Sequence, residues 1–134
     1  MLARPERSAI VVTSSGLGVR PFAGVATYSA AKACSSFMAQ ALNYELKDKI
    51  DVMSWESGAA GTKFFPEEQR AKMVPLGKAV DGMLRDLGHE SVTSGTLPHD
   101  WAVGFLKFAP FTTVQKMLYI AFTNTYRKEI EEIS

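Results

Sequence analysis

"SAIVVTSSGLGVRPFAGVATYSAAKACSSFMAQALNYELK", residues 8–47, places a strand, a glycine-punctuated loop and a long helix in succession. Ser8 to Ser15 is a short, β-branched apolar run. Its continuous rather than alternating apolarity suits a strand of a parallel sheet covered on both faces. It closes in Ser14-Ser15-Gly16, a turn signal, and Gly16, Gly18, Pro21 and Gly24 punctuate the loop that follows. Thr27 to Lys47 then reads as a helix, without Pro or Gly and with Ala dominating its first half. Phe37, Ala41, Leu42 and Leu46 continue a helical spacing, and Lys47 and Lys49 stand at the C-terminal end, where they suit the helix dipole.

Downstream, Ile50 to Trp55 ("IDVMSW") reads as a second strand and "ESGAAGT" as the loop after it. "PEEQRAKM" opens on Pro66 and two acids, a helix-start signature. Pro75 opens another helix, with apolar residues at Leu76, Val80, Met83, Leu84 and Leu87 and Gly88 placed to cap it. Ser91 to Leu97 is expected as a short third strand, and two C-terminal helices are expected on either side of Pro110. The charged tail "YRKEIEEIS" is expected to fray. The order β, α, β, α, α, β, α, α argues for an α/β protein with a parallel sheet.

The chain has 134 residues, a length suited to one domain, with 46% hydrophobic and 22% charged residues and a net charge of +1. That balance gives no reason to expect a nucleic-acid partner. The single Cys34 excludes an internal disulfide and supplies no metal cluster. The N-terminal "MLARPERSAIVV" has arginines but too short an apolar run for a signal peptide. No run of about 18 apolar residues marks a transmembrane helix. The most apolar stretch, residues 101–122, is broken by Lys107, Pro110, Gln115 and Lys116. It suits a membrane surface or a protein groove, but a buried helix pair is the plainer expectation.

Tyr28 and Lys32 are four residues apart and share a helix face. Alone, such a pair is weak evidence, because it arises by chance in many helices. Ser15, thirteen residues before Tyr28, stands at the carboxyl end of the first strand. Ligands of open α/β sheets bind outside those ends. Thr62 follows the second strand behind Gly58 and Gly61, so all four residues can converge on one crevice. A phenol, with an ordinary pKa of about 10, is a poor acid or base at neutral pH, and a nearby ammonium stabilises its phenolate. Tyr28 could then exchange a proton with a carbonyl or alcohol oxygen, while Ser15 holds that oxygen by a hydrogen bond. Small residues at Ala30, Ala31 and Ala33 are expected to let the helix pack closely.

"TSSGLGVRPFAGVATYSAAKA", residues 13–33, resembles the catalytic segment of the short-chain dehydrogenase/reductase family. The likeness rests on Ser-Ser-x-x-Gly after a strand, a Pro and a Gly before the tyrosine, then Tyr-Ser-Ala-x-Lys-Ala. It implies that Ser15 polarises the substrate and that Tyr28 is the acid/base. Lys32 would favour the phenolate and bind the nicotinamide ribose. "SGAAGTKF" is similar to the family's Pro-Gly-x-Val-x-Thr segment. It implies cofactor contacts at Gly58, at the Ala60 backbone and at Thr62, with Thr62 near the carboxamide or phosphates. "GTKF", "SVTSGTLPHDW" and the apolar helices around Pro110 are similar to the very-long-chain 3-oxoacyl-CoA reductase and 17-beta-hydroxysteroid dehydrogenase branch. That likeness implies reduction of a ketone on a long acyl-CoA or a steroid, NADP(H) rather than NAD(H), and association with the endoplasmic reticulum membrane.

The resemblance covers about the second half of the family's domain. The implied fold is therefore the C-terminal half of a doubly wound Rossmann-type sheet, with residues 1–134 forming its catalytic half. The Gly-rich turn that holds the pyrophosphate at a helix N-terminus is not among these residues, and neither is the upstream catalytic Asn. Ser57 stands where the family usually has Pro. Glu56 puts a carboxylate where an apolar residue is common, and is expected to be a solvated strand end. A first strand without its usual neighbour presents an open edge to a partner. The long helix pairs with a second subunit in many family members. Three readings follow: a piece of a reductase, one half of a split enzyme completed by a Rossmann half, or a non-catalytic paralogue acting as an interaction module.

Overall fold

The computed structural model describes residues 3, 5–63 and 65–133, with side chains through residue 124. Three strands, β1 (Ser8–Thr13), β2 (Ile50–Trp55) and β3 (Val92–Thr93), form a parallel sheet in the order β1-β2-β3. This is the expected α/β architecture. The helices are α1 (Ala26–Leu46), α2 (Glu67–Arg70), α3 (Leu76–Asp86), α4 (Leu97–Phe108) and α5 (Phe111–Ile133). A short 3-10 turn, Gly16–Gly18, follows β1.

The register pairs Ile10 with Val52 and Val12 with Ser54. Side chains alternate across a sheet, so these even-numbered residues share one face. On that face Ile10, Val12, Ile50 and Val52 pack with Ala39, Leu42 and Leu46 of α1, and Ala39 and Val52 are wholly buried. Apolar contact here is the main stabilising term, at about 25 cal/mol per Å² of surface removed from water. The small residues on the buried side of α1 are Ser29, Ser36 and Ala39, with Ala33 partly covered. Ala30 and Ala31, expected to serve close packing, face outward.

β1 is an edge strand among the described residues, and none of its residues is fully buried, whereas four of the six in β2 are. The continuous apolar run of β1 therefore serves a strand covered less completely than expected. Ser14 still donates its N–H to the Trp55 carbonyl at 2.9 Å, extending the ladder by one residue.

Other expectations are corrected. The third strand, expected over residues 91–97, is only Val92–Thr93. Gly95, at φ 85°, turns the chain, and Thr96 then takes the position before α4 without a side-chain capping hydrogen bond, with Pro98 in the first turn of the helix. "PEEQRAKM" makes one turn of helix, Glu67–Arg70. The C-terminal helices split at Pro110 as expected, but they are not a buried pair. Trp101 is 80% exposed and Phe108 88%, while Val103 and Val114 point inward. Helix α5 continues through the charged tail to Ile133, with the side chains of residues 125–133 and all of Ser134 outside the described set. No described helix is long and apolar enough to cross a membrane.

Candidate active site

A cleft of about 570 Å³ opens at the carboxyl ends of β1 and β2. Ser15, Tyr28, Gly58, Ala60 and Thr62 line it, so five of the six residues singled out from the sequence share one space. Lys32, the sixth, stands behind it. Its Nζ donates to the Thr13 carbonyl at 3.1 Å and lies 5.7 Å from the centre of the Tyr28 ring. The ammonium is thus fixed to the strand end and sits over the phenol's ring, as the spacing of four on one helix allows.

Ser15 is buried and caps the 3-10 turn, its Oγ accepting from the Leu17 N–H at 3.2 Å. A serine hydroxyl has one proton to donate, and this contact leaves that proton unused. Tyr28, 46% exposed, stands in the first turn of α1 with its ring at the cleft. Ser14 Oγ donates to the Lys32 carbonyl at 2.6 Å, which ties the strand end to α1. Gly18 lets the two segments close. A Cβ there would stand 2.9 Å from the Ala33 nitrogen and from the Lys32 carbonyl carbon. The expected Ser-Gly loop thus sets the distance between Ser15 and the Tyr28 helix.

The loop after β2 is held from three sides. Ser57 O accepts from the Gly16 N–H at 3.1 Å, and Gly61 N–H donates to Val74 O at 2.9 Å. The third hold is His99 in α4, whose Nε2 lies 3.3 Å from Ala59 O. Gly58 is required by contact, since a Cβ there would stand 2.5 Å from the His99 ring. His99 was not found by sequence reasoning. The helix start at Thr96-Leu97-Pro98 is a local signal, but its partner lies 40 residues earlier.

Glu56 corrects the expectation of a solvated strand end, for it is buried at 6% exposure. Its Oε1 accepts from Ser36 Oγ at 2.8 Å, and Ser36 also receives Ser54 Oγ at 3.0 Å. The Lys107 ammonium lies 3.6 Å from Oε2, joining the end of β2 to α4. Alternation along β2 was the available signal: Val52, Ser54 and Glu56 share the face that α1 covers.

The far end of the loop between Ser15 and Tyr28 is tied to the α4–α5 corner. Arg20 Nη1 donates to Leu106 O at 2.9 Å, Lys107 O at 3.3 Å and Ala109 O at 2.8 Å, capping α4. Its guanidinium lies 5.1 Å from the centre of the Phe111 ring. Gln115 of α5 accepts from the Ala23 N–H at 2.7 Å and donates to the Pro21 carbonyl.

Residues 1–73 match the family model described as short chain dehydrogenase. The chain belongs to the short-chain dehydrogenase family. Its members are oxidoreductases that work with NAD or NADP. Among solved structures the chain is similar to a 7beta-hydroxysteroid dehydrogenase studied for its stereoselectivity, at 18% identity and a TM-score of 0.65, covering 86% of this chain and 47% of that one. It is also similar to a short-chain dehydrogenase from Streptomyces avermitilis, at 22% identity and a TM-score of 0.39, covering 92% of this chain and 48% of that one. The first likeness carries the fold, a partial Rossmann-like sheet. The chain spans about half the length of both structures. No match arises among curated proteins.

The nicotinamide end of the family's cofactor would fit the cleft that the described residues line. Donors and an apolar wall surround the cleft at the strand ends. No described residues form a glycine turn open to a pyrophosphate. The glycines at 16 and 18 are filled, Gly16 by Val103 at 2.8 Å from a Cβ and Gly18 by the α1 backbone.

Proposed function

We propose that this chain carries the proton-handling half of an NAD(P)H-dependent ketone reductase, working in reverse as an alcohol dehydrogenase. One observation carries the reading: an unspent Ser15 hydroxyl proton and the Tyr28 ring line one cleft, with the Lys32 ammonium fixed behind the ring. In reduction, Ser15 donates a hydrogen bond to the carbonyl oxygen and Tyr28 delivers the proton to it. Lys32 stabilises the phenolate left behind. Oxidation reverses each step. Gly58, Ala60 and Thr62 hold the nicotinamide end, and Lys32 the ribose next to it. Bound there, the cofactor supplies the hydride in reduction and takes it in oxidation. NADP(H) is favoured by the branch likeness.

Leu17, Trp55, Phe65, Leu76, Val103 and Leu106 wall the cleft, which supports an apolar ketone as substrate. A volume near 570 Å³ lies in the range that holds a steroid-sized ligand. The branch likeness points to a 3-oxoacyl-CoA or a steroid. The same likeness, with the exposed aromatics of α4, supports peripheral contact with the endoplasmic reticulum membrane.

The phosphate-binding half would come from a complementary Rossmann segment alongside β1. Combined with such a half from the family, the chain reduces 3-ketosteroids or 3-oxoacyl-CoA with NADPH. Tyr28→Phe then lowers turnover by about 100- to 10,000-fold and spares cofactor binding. Undiminished turnover refutes the assigned role. A second reading, an interaction module without catalysis, draws on the exposed Phe37, Tyr44, Trp101 and Phe108. It predicts that no NADPH-dependent turnover appears with any complementing half.

A further inference from the structure

His99, in the first turn of α4, is buried at 5% exposure, and the proton chemistry above makes no use of it. Its Nε2 stands 3.3 Å from the Ala59 carbonyl oxygen. A carbonyl only accepts, so in this contact Nε2 carries the proton. Nδ1 is then an acceptor, and it has no partner among the described residues. The polar work of the ring is to hold one carbonyl.

That hold has a consequence on the other side of the peptide. No described peptide bond is cis, and across a trans peptide the carbonyl and the following N–H point in opposite directions. With the Ala59 carbonyl turned to His99, the Ala60 N–H turns away from it. The next two amides are spent, Gly61 N–H on Val74 O at 2.9 Å and Thr62 N–H on Ala60 O at 2.7 Å. The Ala60 N–H has no acceptor among the described hydrogen bonds, although Ala60 is 8% exposed and lines the cleft. Buried amides are nearly always paired, so an open one at a cleft wall marks a donor kept for a ligand oxygen.

We infer that His99 is a positioning residue: by gripping the Ala59 carbonyl it presents the Ala60 N–H to the carboxamide oxygen of a nicotinamide in the cleft. The inference rests on the cofactor reading of that cleft. Val74 also pairs with Ala60 in a parallel bridge, so loss of the His99 donor leaves the loop in place and removes one of the contacts that fix the Ala59–Ala60 peptide plane.

The test uses the isotope-labelled 134-residue chain, with reduced nicotinamide mononucleotide as the probe because it carries the end of the cofactor that these residues fit. Long-range proton–nitrogen spectra of the free chain should show His99 protonated at Nε2. Protonation at Nδ1 overturns the inference without any variant. In the titration, the Ala60 amide should move with the probe. His99→Phe keeps the ring's bulk and removes the donor, and should weaken binding about tenfold, the scale of one hydrogen bond, while suppressing the Ala60 shift. His99→Gln restores an N–H close to the Nε2 position and should bring affinity back to within about threefold. A His99→Phe chain that binds as wild type overturns the inference, and so does a Gln variant no better than Phe. If the Phe variant does not fold, the tautomer and the Gln variant decide. Should the amides of residues 57–62 ignore the probe in the wild-type chain, the cofactor reading itself falls, and the inference with it.

Discussion

The two ends of the sheet follow opposite rules. At its N-terminal end, Arg7 donates to both Asp51 carboxylate oxygens and to the carbonyls of Lys47 and Asp48. The hydrogen bond from Arg7 is the main cause that holds the Asp51 carboxyl below its ordinary range. Charge there is matched and capped. At the carboxyl end, the Ser15 hydroxyl proton, the Tyr28 ring and the Ala60 N–H are positioned by neighbours but left unspent. One end of the same strands has its Arg7 and Asp51 charges paired internally, and the other keeps hydrogen-bonding capacity for something else. Stability should therefore respond to changes at the strand starts and in the core, and chemistry to changes at the strand ends.

The sharpest test of that division lies in the core between the ends. Met53 is wholly buried in β2, and Met53→Ala should destabilise the chain by about 2–5 kcal/mol in denaturant unfolding. A loss near zero would mean that the central strand is not the structural spine described. At the carboxyl end, Ser15→Ala in the completed enzyme should cut turnover about a hundredfold or more. Its stability cost should stay near 1 kcal/mol, the scale of one lost cap. A stability loss as large as that of Met53→Ala would break the comparison.

The smallest effect belongs to the N-terminal end. The folded-state pKa of Asp51 is depressed, so its pairing stabilises the fold above the unfolded value of about 4. That contribution disappears as pH falls through the lower folded value. Asp51→Asn should therefore lower Tm slightly at neutral pH and not at all well below pH 4, because the pair is exposed and screened. An equal change in Tm at both pH values would argue that the carboxylate charge is irrelevant there.

The first half of the chain was legible in its sequence because its signals are local. α1 and β2 lie within one residue of expectation at each boundary, and the β1 run starts where expected and ends two residues early. The convergence of Ser15, Tyr28 and Thr62 followed from strand direction alone, once both strands were read as parallel. What escaped depended on distant contacts. β3 was overextended because β propensity in "SVTSGTL" says nothing of the turn at Gly95 or of the helix start behind it. The apolar content of α4 and α5 was read as burial, yet hydrophobicity does not state which side meets the sheet. Val103 fills the space beside Gly16 while Trp101, two residues before it, faces out. Glu56 and His99 were missed or misread because their partners, Ser36 and Ala59, lie 20 and 40 residues away.

The Arg20 and Gln115 contacts make the loop between Ser15 and Tyr28 an attachment of the helical corner at Pro110. Prising that corner away breaks the contacts of Arg20 Nη1 to three carbonyls and the two hydrogen bonds of Gln115. The corner and the loop should therefore open as one cooperative unit, with amide exchange at residues 19–24 keeping pace with exchange at the end of α4. By linkage, whatever settles on the outer face of α4 and α5 and shifts that opening equilibrium also sets how often the two hydroxyls stand ready together, and occupancy of the cleft acts back on that face to the same extent.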